Sequence, residues 1–239
     1  MKALVTGGAG FVGSHLCRRL CERGDDVTIV DNFRTGTREF ISELLDAGKT
    51  ANPAKLVRKD LKVFGAIKEE IKGQDIVYHL AANADVRGGV KDTGIDLDEN
   101  VLVTWNLLEA MRIAGVKNIV FFSSTQVYGN APVPTPEDVA PLLPCNMYGA
   151  SKLAAEAYVS AYAQCFGMRA WIFRPVNIVG KHNTHGVIND FIEKLRNNPK
   201  KLEILGDGKQ MKSYIYIEDA LDEVDYMMRK VPLREGCTE

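Results

Sequence analysis

The chain has 239 residues, of which 46% are hydrophobic and 26% are charged, values typical of a globular protein with a core of its own. Its 30 lysines and arginines against 31 aspartates and glutamates leave a net charge of −1, without the basic excess typical of nucleic-acid-binding proteins. The hydrophobic fraction excludes a disordered chain, and 21 glycines with nine prolines exclude a collagen-like one.

Membrane and compartment signals are absent from the sequence. No apolar run approaches the length that spans a bilayer, and glycines interrupt the N-terminal apolar residues, which argues against a signal peptide. Five cysteines are scattered along the chain: Cys17, Cys21, Cys145, Cys165 and Cys237. No further Cys or His pair completes a zinc site with the first two. We therefore expect reduced thiols, no metal, no membrane contact and a cytoplasmic location.

Short apolar runs alternate with longer helical patterns along most of the chain. The runs predict buried strands at 2–6, 27–30, 55–57, 75–80, 118–122 and 169–173. Spacing or composition predicts helices at 11–24, 37–47, 62–72, 93–115 and 148–166. Strands that are apolar on both faces and separated by helices indicate a parallel sheet covered on both sides. The predicted fold is α/β, a doubly wound parallel sheet of Rossmann type.

Two later segments depart from this alternation. Residues 129–147 hold five of the nine prolines and predict a rigid loop after the strand at 118–122, at the edge of the sheet where ligands bind in this architecture. Beyond residue 180 the sequence predicts a helix at 185–197, a short strand at 202–205 and a helix at 218–229. We expect these to form a small lobe, 181–239, over a main domain, 1–180.

A glycine-rich turn, Gly7-Gly8-Ala9-Gly10-Phe11-Val12-Gly13, directly follows the first strand and opens the first helix. Gly7 permits a tight turn, Gly10 lets a pyrophosphate approach the backbone, and Gly13 allows close helix–strand packing. The helix N-terminus adds free N–H groups and a positive dipole. The spacing is GxxGxxG rather than GxGxxG, and it predicts a dinucleotide site.

Asp31 ends the second strand, eighteen residues after Gly13. A carboxylate there can accept hydrogen bonds from both hydroxyls of the adenosine ribose and would repel a 2′-phosphate, so NAD is favoured over NADP. The guanidinium of Arg34 could accommodate such a phosphate, but we expect Asp31 to dominate. The residues predicted to continue the adenosine site are Asn32, Thr35, Gly36, Asp60 and Leu61.

Tyr148 and Lys152 lie four residues apart at the start of a predicted helix, and therefore on one face of it. A positive charge about 4 Å from a phenol contributes roughly 4 kcal/mol at an effective dielectric near 20, which is about three pKa units. Lys152 and an oxidised nicotinamide are expected to lower the phenol pKa in this way, so that Tyr148 can act as a base. Ser124, after the strand at 118–122, could share a proton with Tyr148 and a substrate oxygen, or could merely cap the strand end.

Together GGAGFVG, Asp31-Asn32, HLAA (79–82), SSTQVYG (123–129) and YGASK (148–152) resemble the extended short-chain dehydrogenase/reductase superfamily. The likeness is greatest to NAD-dependent sugar-nucleotide epimerases of the UDP-glucose 4-epimerase type. It implies an NAD-binding domain at 1–180 and a partial substrate lobe at 181–239. The catalytic residues that it implies are Ser124, Tyr148 and Lys152, with Lys152 also holding the nicotinamide ribose.

The resemblance also implies further binding residues. Those along the cofactor would be Phe11, Val12, Leu80, Ala81, Ala82, Asn100 and Val176, and those on the substrate side Ser124, Gln126, Asn177 and Lys212. Lys212 stands where the family usually has an arginine on the diphosphate, and a lysine keeps the charge without the two-pronged geometry. Family members usually continue for several tens of residues beyond the stretch that ends at Arg229, so we expect this sequence to be part of a longer chain.

Departures from the family pattern narrow the expected reaction. Sugar 4,6-dehydratases carry Asp-Glu after the catalytic hydroxyl residue, and sugar-nucleotide decarboxylases keep the glutamate. Here Thr125 and Gln126 occupy these positions, and neither is an acid. The leading expectation is C4 epimerisation of a UDP-sugar, UDP-glucose and UDP-galactose first, through a transient 4-keto intermediate. The alternatives are a UDP-hexuronate 4-epimerase and a catalytically silent NAD-binding scaffold.

The same resemblance suggests how two copies could assemble. In the family's dimers two long helices pair across a two-fold axis, and here these would be the helices predicted at 93–115 and 148–166. The candidate contact residues are Trp105, Leu108, Met111, Leu153, Ala157 and Ala161. The alternative is that these side chains face the sheet of their own chain.

Overall fold

The computed structural model describes residues 1–230 of the protein. Residues 231–239, which include Cys237 and the end of the lobe predicted at 181–239, lie outside the described residues. Within residues 1–230, no helix is both long enough and apolar enough to cross a bilayer.

A parallel sheet of six strands forms the centre of the structure, in the order β3-β2-β1-β4-β5-β6. The strands are β1 (Lys2–Thr6), β2 (Asp26–Asp31), β3 (Lys55–Arg58), β4 (Ile76–His79), β5 (Asn118–Phe122) and β6 (Arg169–Phe173). All six predicted strands are therefore confirmed. The strand order reverses between β1 and β4, and in such sheets this opens a crevice at the carboxyl ends of the strands.

Helices cover the sheet on both faces, as predicted. Those that pack on it are α1 (Phe11–Glu22) and α6 (Ile217–Lys230) on one face and α3 (Val103–Ala114) and α4 (Met147–Phe166) on the other. Two further helices are α2 (Gly88–Lys91) and α5 (Val187–Asn197). Alternate side chains of β1 enter two separate cores, because successive residues of a strand point to opposite faces. Val5 packs in a core with residues of α1 and α6, whereas Leu4 packs in a core with residues of α3 and α4.

Several predicted elements differ in the structure. Residues 62–72 form successive turns rather than a helix, with Gly65 in the left-handed region at φ +71°. A 3₁₀-helix spans Arg38–Leu45 within the predicted helix 37–47, and a π-helical turn, Leu97–Leu102, leads into α3. The strand predicted at 202–205 is wrong: Leu205 is 68% exposed and no strand forms there. Instead β7 (Asn177–Val179) and β8 (Tyr214–Tyr216) form a separate two-stranded parallel sheet.

The surface predicted to pair two copies is partly wrong. Leu108 and Met111 are fully buried in the core between α3, α4 and the sheet, because both helices pack on the same face and against each other. Trp105 is half-buried and stacks on Phe64, with 5.6 Å between the ring centroids. On α4, Leu153 is half-buried, whereas Ala157 and Ala161 are exposed.

Candidate active site

The glycine turn between β1 and α1 packs tightly against neighbouring backbone and leaves the N-terminus of α1 without a side-chain cap. Gly7 has φ +68°, and a Cβ on it would lie 2.7 Å from the backbone nitrogen of Ala81. A Cβ on Gly13 would collide with the carbonyl oxygen of Gly7. Gly10 caps α1 without a side chain, so the first-turn N–H groups, including those of Phe11 and Val12, receive no side-chain cap. The turn therefore fits a pyrophosphate, as predicted from its sequence.

Asp31 lies beside this turn, as its position at the end of β2 predicts. Its Oδ2 accepts a hydrogen bond from the Ala9 N–H at 2.9 Å, and its Oδ1 accepts one from the Phe33 N–H at 2.8 Å. Burial raises the pKa of this carboxyl, and the two N–H groups oppose the rise. A Cβ on Gly36 would lie 3.0 Å from Oδ1, so Gly36 permits the loop to close over the carboxylate.

The acid after β3 is held on the same side of the sheet. Asn32 Nδ2 donates to Asp60 Oδ2 at 3.2 Å, and the Lys62 N–H donates to Asp60 Oδ1 at 2.9 Å. Leu61 is buried beside it. The structure thus places Asp31, Asn32 and Asp60 together, as an adenosine site at the ends of β2 and β3 requires.

Arg34 points to other protein groups rather than standing free beside Asp31. Its Nη2 donates to Asn83 Oδ1 at 3.0 Å, and its Nε lies 3.7 Å from a carboxylate oxygen of Glu99. Thr35 follows it in an exposed position. The guanidinium that could have accommodated a 2′-phosphate is therefore engaged by Asn83 and Glu99.

The end of β4 is tied to its neighbours through His79, which the sequence reasoning left without a role. His79 Nε2 lies 2.9 Å from Thr104 Oγ1, and that hydroxyl donates its proton to the carbonyl of Asn100 at 2.6 Å. Nε2 must therefore carry the ring proton, and Nδ1 accepts from Thr6 Oγ1 at 2.7 Å. Complete burial lowers the pKa of His79 to about 3, so the ring stays neutral.

The loop after His79 lines the crevice opposite the glycine turn. Its residues Leu80, Ala81 and Ala82 are half-buried. The following N–H, of Asn83, donates to the side-chain oxygen of Asn100 at 2.7 Å. This bond joins Asn100, which the resemblance assigns to the cofactor, to the loop.

Ser124 and Tyr148 are brought together by two helix N-caps. Ser124 follows β5 and caps a short 3₁₀-helix, Thr125–Tyr128, by accepting from the Gln126 N–H at 3.2 Å. Asn146 caps α4 by accepting from the Gly149 N–H at 2.7 Å, and its Nδ2 donates to Gln126 Oε1 at 2.9 Å. The two caps are thus joined by a side-chain hydrogen bond, which sets Tyr148 beside the hydroxyl of Ser124.

Lys152 lies one turn along α4 and is buried, with its Nζ 5.9 Å from the centre of the Tyr148 ring. Its Nζ donates to the carbonyl of Phe122, the last residue of β5, at 2.9 Å. Burial lowers the pKa of Lys152 to about 8.

The protein's own residues raise the pKa of Tyr148, whereas the lowering predicted from the sequence depends on the charges of Lys152 and an oxidised nicotinamide together. Burial raises this pKa to about 12, although the Ser124 hydroxyl acts in the opposite direction, and the negative charge of Asp96 adds to the rise. The physical reason is that loss of hydration penalises the phenolate more than the hydroxyl of Ser124 stabilises it.

The residues expected on the substrate side lie around the small sheet. Val176 is half-buried, and Asn177, the next residue, begins β7 opposite Tyr214 of β8. Asn177 Nδ2 donates to the carbonyl of Ser213 at 3.0 Å, which brings Lys212, an exposed residue, to the same end of this sheet. Gln126 lies elsewhere, with its side-chain oxygen engaged by Asn146.

Sequence reasoning missed a buried ion pair behind the site. Glu156 lies one turn after Lys152 on α4, and its carboxylate accepts from Arg174, which follows β6. The spacing of Glu156 from Lys152 placed it on the same helical face and could have signalled it, but nothing in the sequence identified Arg174 as its partner.

Comparisons with known proteins agree with this geometry. Residues 3–235 match the model of the NAD-dependent epimerase/dehydratase family. A putative UDP-glucose 4-epimerase of Methanocaldococcus jannaschii is 37% identical over 221 residues, covering 90% of this chain and 70% of that protein. A crystal structure of a UDP-galactose 4-epimerase superposes with a TM-score of 0.85 at 43% identity, covering 96% of this chain and 72% of that one. A UDP-glucose 4-epimerase of Thermotoga maritima with UDP-glucose gives a TM-score of 0.85 at 31% identity, covering 95% and 73%.

These likenesses confirm three predictions made from the motifs. The family whose model matches belongs to the predicted superfamily, and its description names NAD as the cofactor. The predicted parallel sheet is shared with the solved structure of a UDP-galactose 4-epimerase. The relatives also support an enzyme over a silent scaffold, since those that match are named as sugar-nucleotide enzymes, UDP-glucose 4-epimerases among them. The chain belongs to the NAD-dependent epimerase/dehydratase family.

Proposed function

We propose that the protein epimerises a UDP-sugar at C4 through a transient 4-keto intermediate, with UDP-glucose and UDP-galactose as its substrates. The observation that carries the proposal is the arrangement of Ser124, Tyr148 and Lys152 at the carboxyl end of β5. The family also contains dehydratases, but the positions after Ser124 hold Thr125 and Gln126, which supply no carboxyl acid for eliminating water.

In this proposal Tyr148 is the base and acid at the sugar 4-hydroxyl. The phenol oxygen takes the hydroxyl proton as C4 is oxidised and returns it when C4 is reduced from the other face. Ser124, which stabilises the phenolate, shares the proton with the sugar oxygen. Lys152 holds the nicotinamide ribose and contributes positive charge in its protonated form. A buried lysine with a pKa of about 8 keeps that form at neutral pH.

NAD would lie along the crevice, from the glycine turn to the end of β5. When bound, NAD supplies the hydride acceptor for C4 oxidation and returns the same hydride. The uncapped N-terminus of α1, which follows Gly10, would hold the pyrophosphate, and the Asp31 carboxylate would accept hydrogen bonds from the adenosine ribose hydroxyls. We propose residues 1–180 as the NAD-binding domain and the residues from 181 onward as part of the substrate lobe.

The nucleotide-sugar diphosphate would lie at the end of the small sheet. Asn177 bonds the carbonyl of Ser213, the residue after Lys212, so this end of the sheet would offer an amide and a cation. Lys212 offers a single charge where an arginine would offer a planar fork, so we expect it to hold the diphosphate without a two-pronged bond. Gln126 would contact the sugar from the opposite side of the crevice.

We also propose that two copies pair through the outer faces of α3 and α4. Leu108 and Met111 belong to the core and are not part of that surface. Support comes from large apolar side chains that remain exposed on these two helices and on the turn before α3: Leu97, Leu102, Ile113, Tyr158 and Phe166. Sedimentation of the full-length protein tests this pairing, and a monomer at all concentrations would contradict it.

A coupled assay across UDP-hexoses, UDP-N-acetylhexosamines and UDP-hexuronates tests the reaction. The proposal expects interconversion of UDP-glucose and UDP-galactose to have the highest kcat/KM. Turnover of a UDP-hexuronate alone would replace the proposed substrate without changing the C4 chemistry. Release of water from the sugar, detected by mass, would overturn epimerisation in favour of dehydration.

A further inference from the structure

A buried carboxylate, Asp96, lies behind the catalytic helix and has no part in the mechanism above. It is 1% exposed and immediately precedes the π-helical turn Leu97–Leu102. Its Oδ1 accepts hydrogen bonds from two neutral amides, Asn83 Nδ2 at 2.9 Å and Asn100 Nδ2 at 3.3 Å. Its Oδ2 is buried and has no hydrogen-bond partner within residues 1–230. Such an arrangement is costly for an ionised oxygen and calls for an explanation.

The amides that bind Asp96 connect it to the first turn of α4. Asn100 Nδ2 also donates to Ser151 Oγ at 2.8 Å, and Ser151 Oγ donates to the carbonyl of Tyr148 at 2.8 Å. The Asn83 N–H in turn donates to Asn100 Oδ1 at 2.7 Å. One continuous set of hydrogen bonds therefore joins the carboxylate, the loop after β4 and the backbone of Tyr148.

The unpaired oxygen of Asp96 is covered by a glycine. A Cβ on Gly89 of α2 would collide with Oδ2, and it would lie 2.9 Å from Cβ of Met147, the residue before Tyr148. Gly89 therefore allows α2 to close over the carboxylate and against the start of α4. The carboxylate is thus buried beneath α2.

We propose that Asp96 is a positioning residue of the epimerisation, which holds Asn83 and Asn100 in place and, through Ser151, fixes the first turn of the catalytic helix. The proposal rests on the function proposed above. In its ionised form the carboxylate also places a negative charge close enough to act on Tyr148 and Lys152. Because this charge is buried, water screens it little.

The negative charge of Asp96 raises the pKa of both catalytic groups. Asp96 raises the pKa of Tyr148 and, together with Glu156, the pKa of Lys152. The other groups that face the pair are the hydroxyl of Ser124 and the ring of His79, which is neutral. Removing the charge of Asp96 should therefore lower the pH at which Tyr148 loses its proton.

The variant Asp96→Asn separates the charge from the hydrogen bonds. Its side-chain oxygen can still accept from Asn83 and Asn100, and its amide nitrogen takes the place of the unpaired Oδ2. In the NAD-loaded, full-length protein we expect the acid limb of the kcat–pH profile to move to lower pH by about half a unit to one unit. Asp96→Ala, which breaks the network, should lower kcat about tenfold or more with little change in KM.

The matched control is Asp98→Asn, which removes the same charge two residues away on an exposed side chain. It should leave the pH profile unchanged. A second measurement does not depend on turnover: the ultraviolet titration of Tyr148, taken as the difference between a protein and its Tyr148→Phe counterpart.

That titration should shift to lower pH with Asp96→Asn, and an unshifted titration would overturn the effect of the Asp96 charge on Tyr148. An unchanged kcat in Asp96→Ala would overturn the positioning role. Failure of the wild-type protein to epimerise any UDP-sugar would instead overturn the proposed function. The two failures are distinguishable, because the titration of Tyr148 can be measured without turnover.

Discussion

Arg174 and Glu156 form a two-pronged ion pair, in which Nε and Nη2 of the guanidinium lie 2.9 and 2.7 Å from the two carboxylate oxygens. The Glu156 side chain is 6% exposed. Arg174 Nη1 also donates to Tyr128 Oη at 3.0 Å. The pair therefore joins the catalytic helix to β6 and to the short helix after Ser124.

Breaking this pair should destabilise the protein strongly. Glu156→Gln leaves the guanidinium partly buried without its counter-charge, and we expect the free energy of unfolding to fall by about 3 kcal/mol, measured by urea denaturation. The matched control is Glu193→Gln, since Glu193 pairs with Arg196 on the surface, where both side chains are more than 60% exposed. An equal fall in the free energy of unfolding in the two variants would show that the buried pair stabilises the protein no more than the surface pair does.

Tyr148→Phe should abolish turnover and leave the fold and NAD binding nearly intact. It deletes one hydroxyl without packing volume, and acid–base groups contribute about 10²–10⁴-fold to the rate. The assay is UDP-galactose conversion, with bound NAD measured by absorbance. Tyr226→Phe is the control, because Tyr226 is 54% exposed on α6. Near-normal turnover of Tyr148→Phe would show that another group is the base.

Lys152→Met should lower turnover and weaken NAD retention, because Lys152 is proposed to supply positive charge at the site and to hold the nicotinamide ribose. It should also change the pH dependence of stability. The folded-state pKa of Lys152 is about 8, below the ordinary 10.5, so between these values the unfolded state binds more protons and stability rises with pH.

This contribution disappears in the methionine variant. The wild-type protein should therefore gain stability relative to Lys152→Met as the pH rises from 8 to about 10, by roughly 2–3 kcal/mol. Urea titrations at several pH values measure the difference. Parallel curves for the two proteins would mean that Lys152 titrates normally in the folded state.

His79 should make the protein sensitive to mild acid. Its folded-state pKa of about 3 lies below the ordinary 6.5, so as the pH falls below 6.5 the unfolded state takes up a proton that the folded state does not, and stability is lost. From pH 7 to 5 this loss is about 2 kcal/mol. His79→Asn should be less stable at pH 7, because hydrogen bonds to Thr6 and Thr104 are altered, yet its curve should fall less steeply in acid. A wild-type slope no greater than that of the variant would contradict a buried neutral His79.

NAD should bind far more tightly than NADP. The Asp31 carboxylate is proposed to accept hydrogen bonds from the adenosine ribose hydroxyls, and the Arg34 guanidinium is engaged by Asn83 and Glu99. Asp31→Asn removes the charge that repels a 2′-phosphate and should narrow the ratio of the two dissociation constants, measured by calorimetry. The control is Asp46→Asn, on an exposed turn. Comparable wild-type affinities for NAD and NADP would contradict the role of Asp31.

The local sequence pattern was sufficient to predict the parallel sheet and to predict that the motifs lie close together. Apolar runs such as 2–6 and 118–122 form strands because they are buried on both faces, and a parallel sheet brings all their carboxyl ends to one edge. Gly7 and Ser124 follow strands and Asp31 ends one, so the sequence alone determined that they lie at the same edge of the sheet. The spacing of Tyr148 and Lys152 determined that they lie on one face of a helix.

Only the tertiary structure decided what depends on burial and on distant partners. The Tyr148 pKa was expected to fall and is raised, since the hydration lost by a side chain is set by everything packed around it. The apolar spacing of Leu108 and Met111 fits an outer surface or a core equally well. Both are buried in the core because α3 packs on the sheet through the face that carries them. Glu156 and Arg174, or Asp96 and Asn83, meet because separate elements converge, and no local pattern encodes which residues will be neighbours.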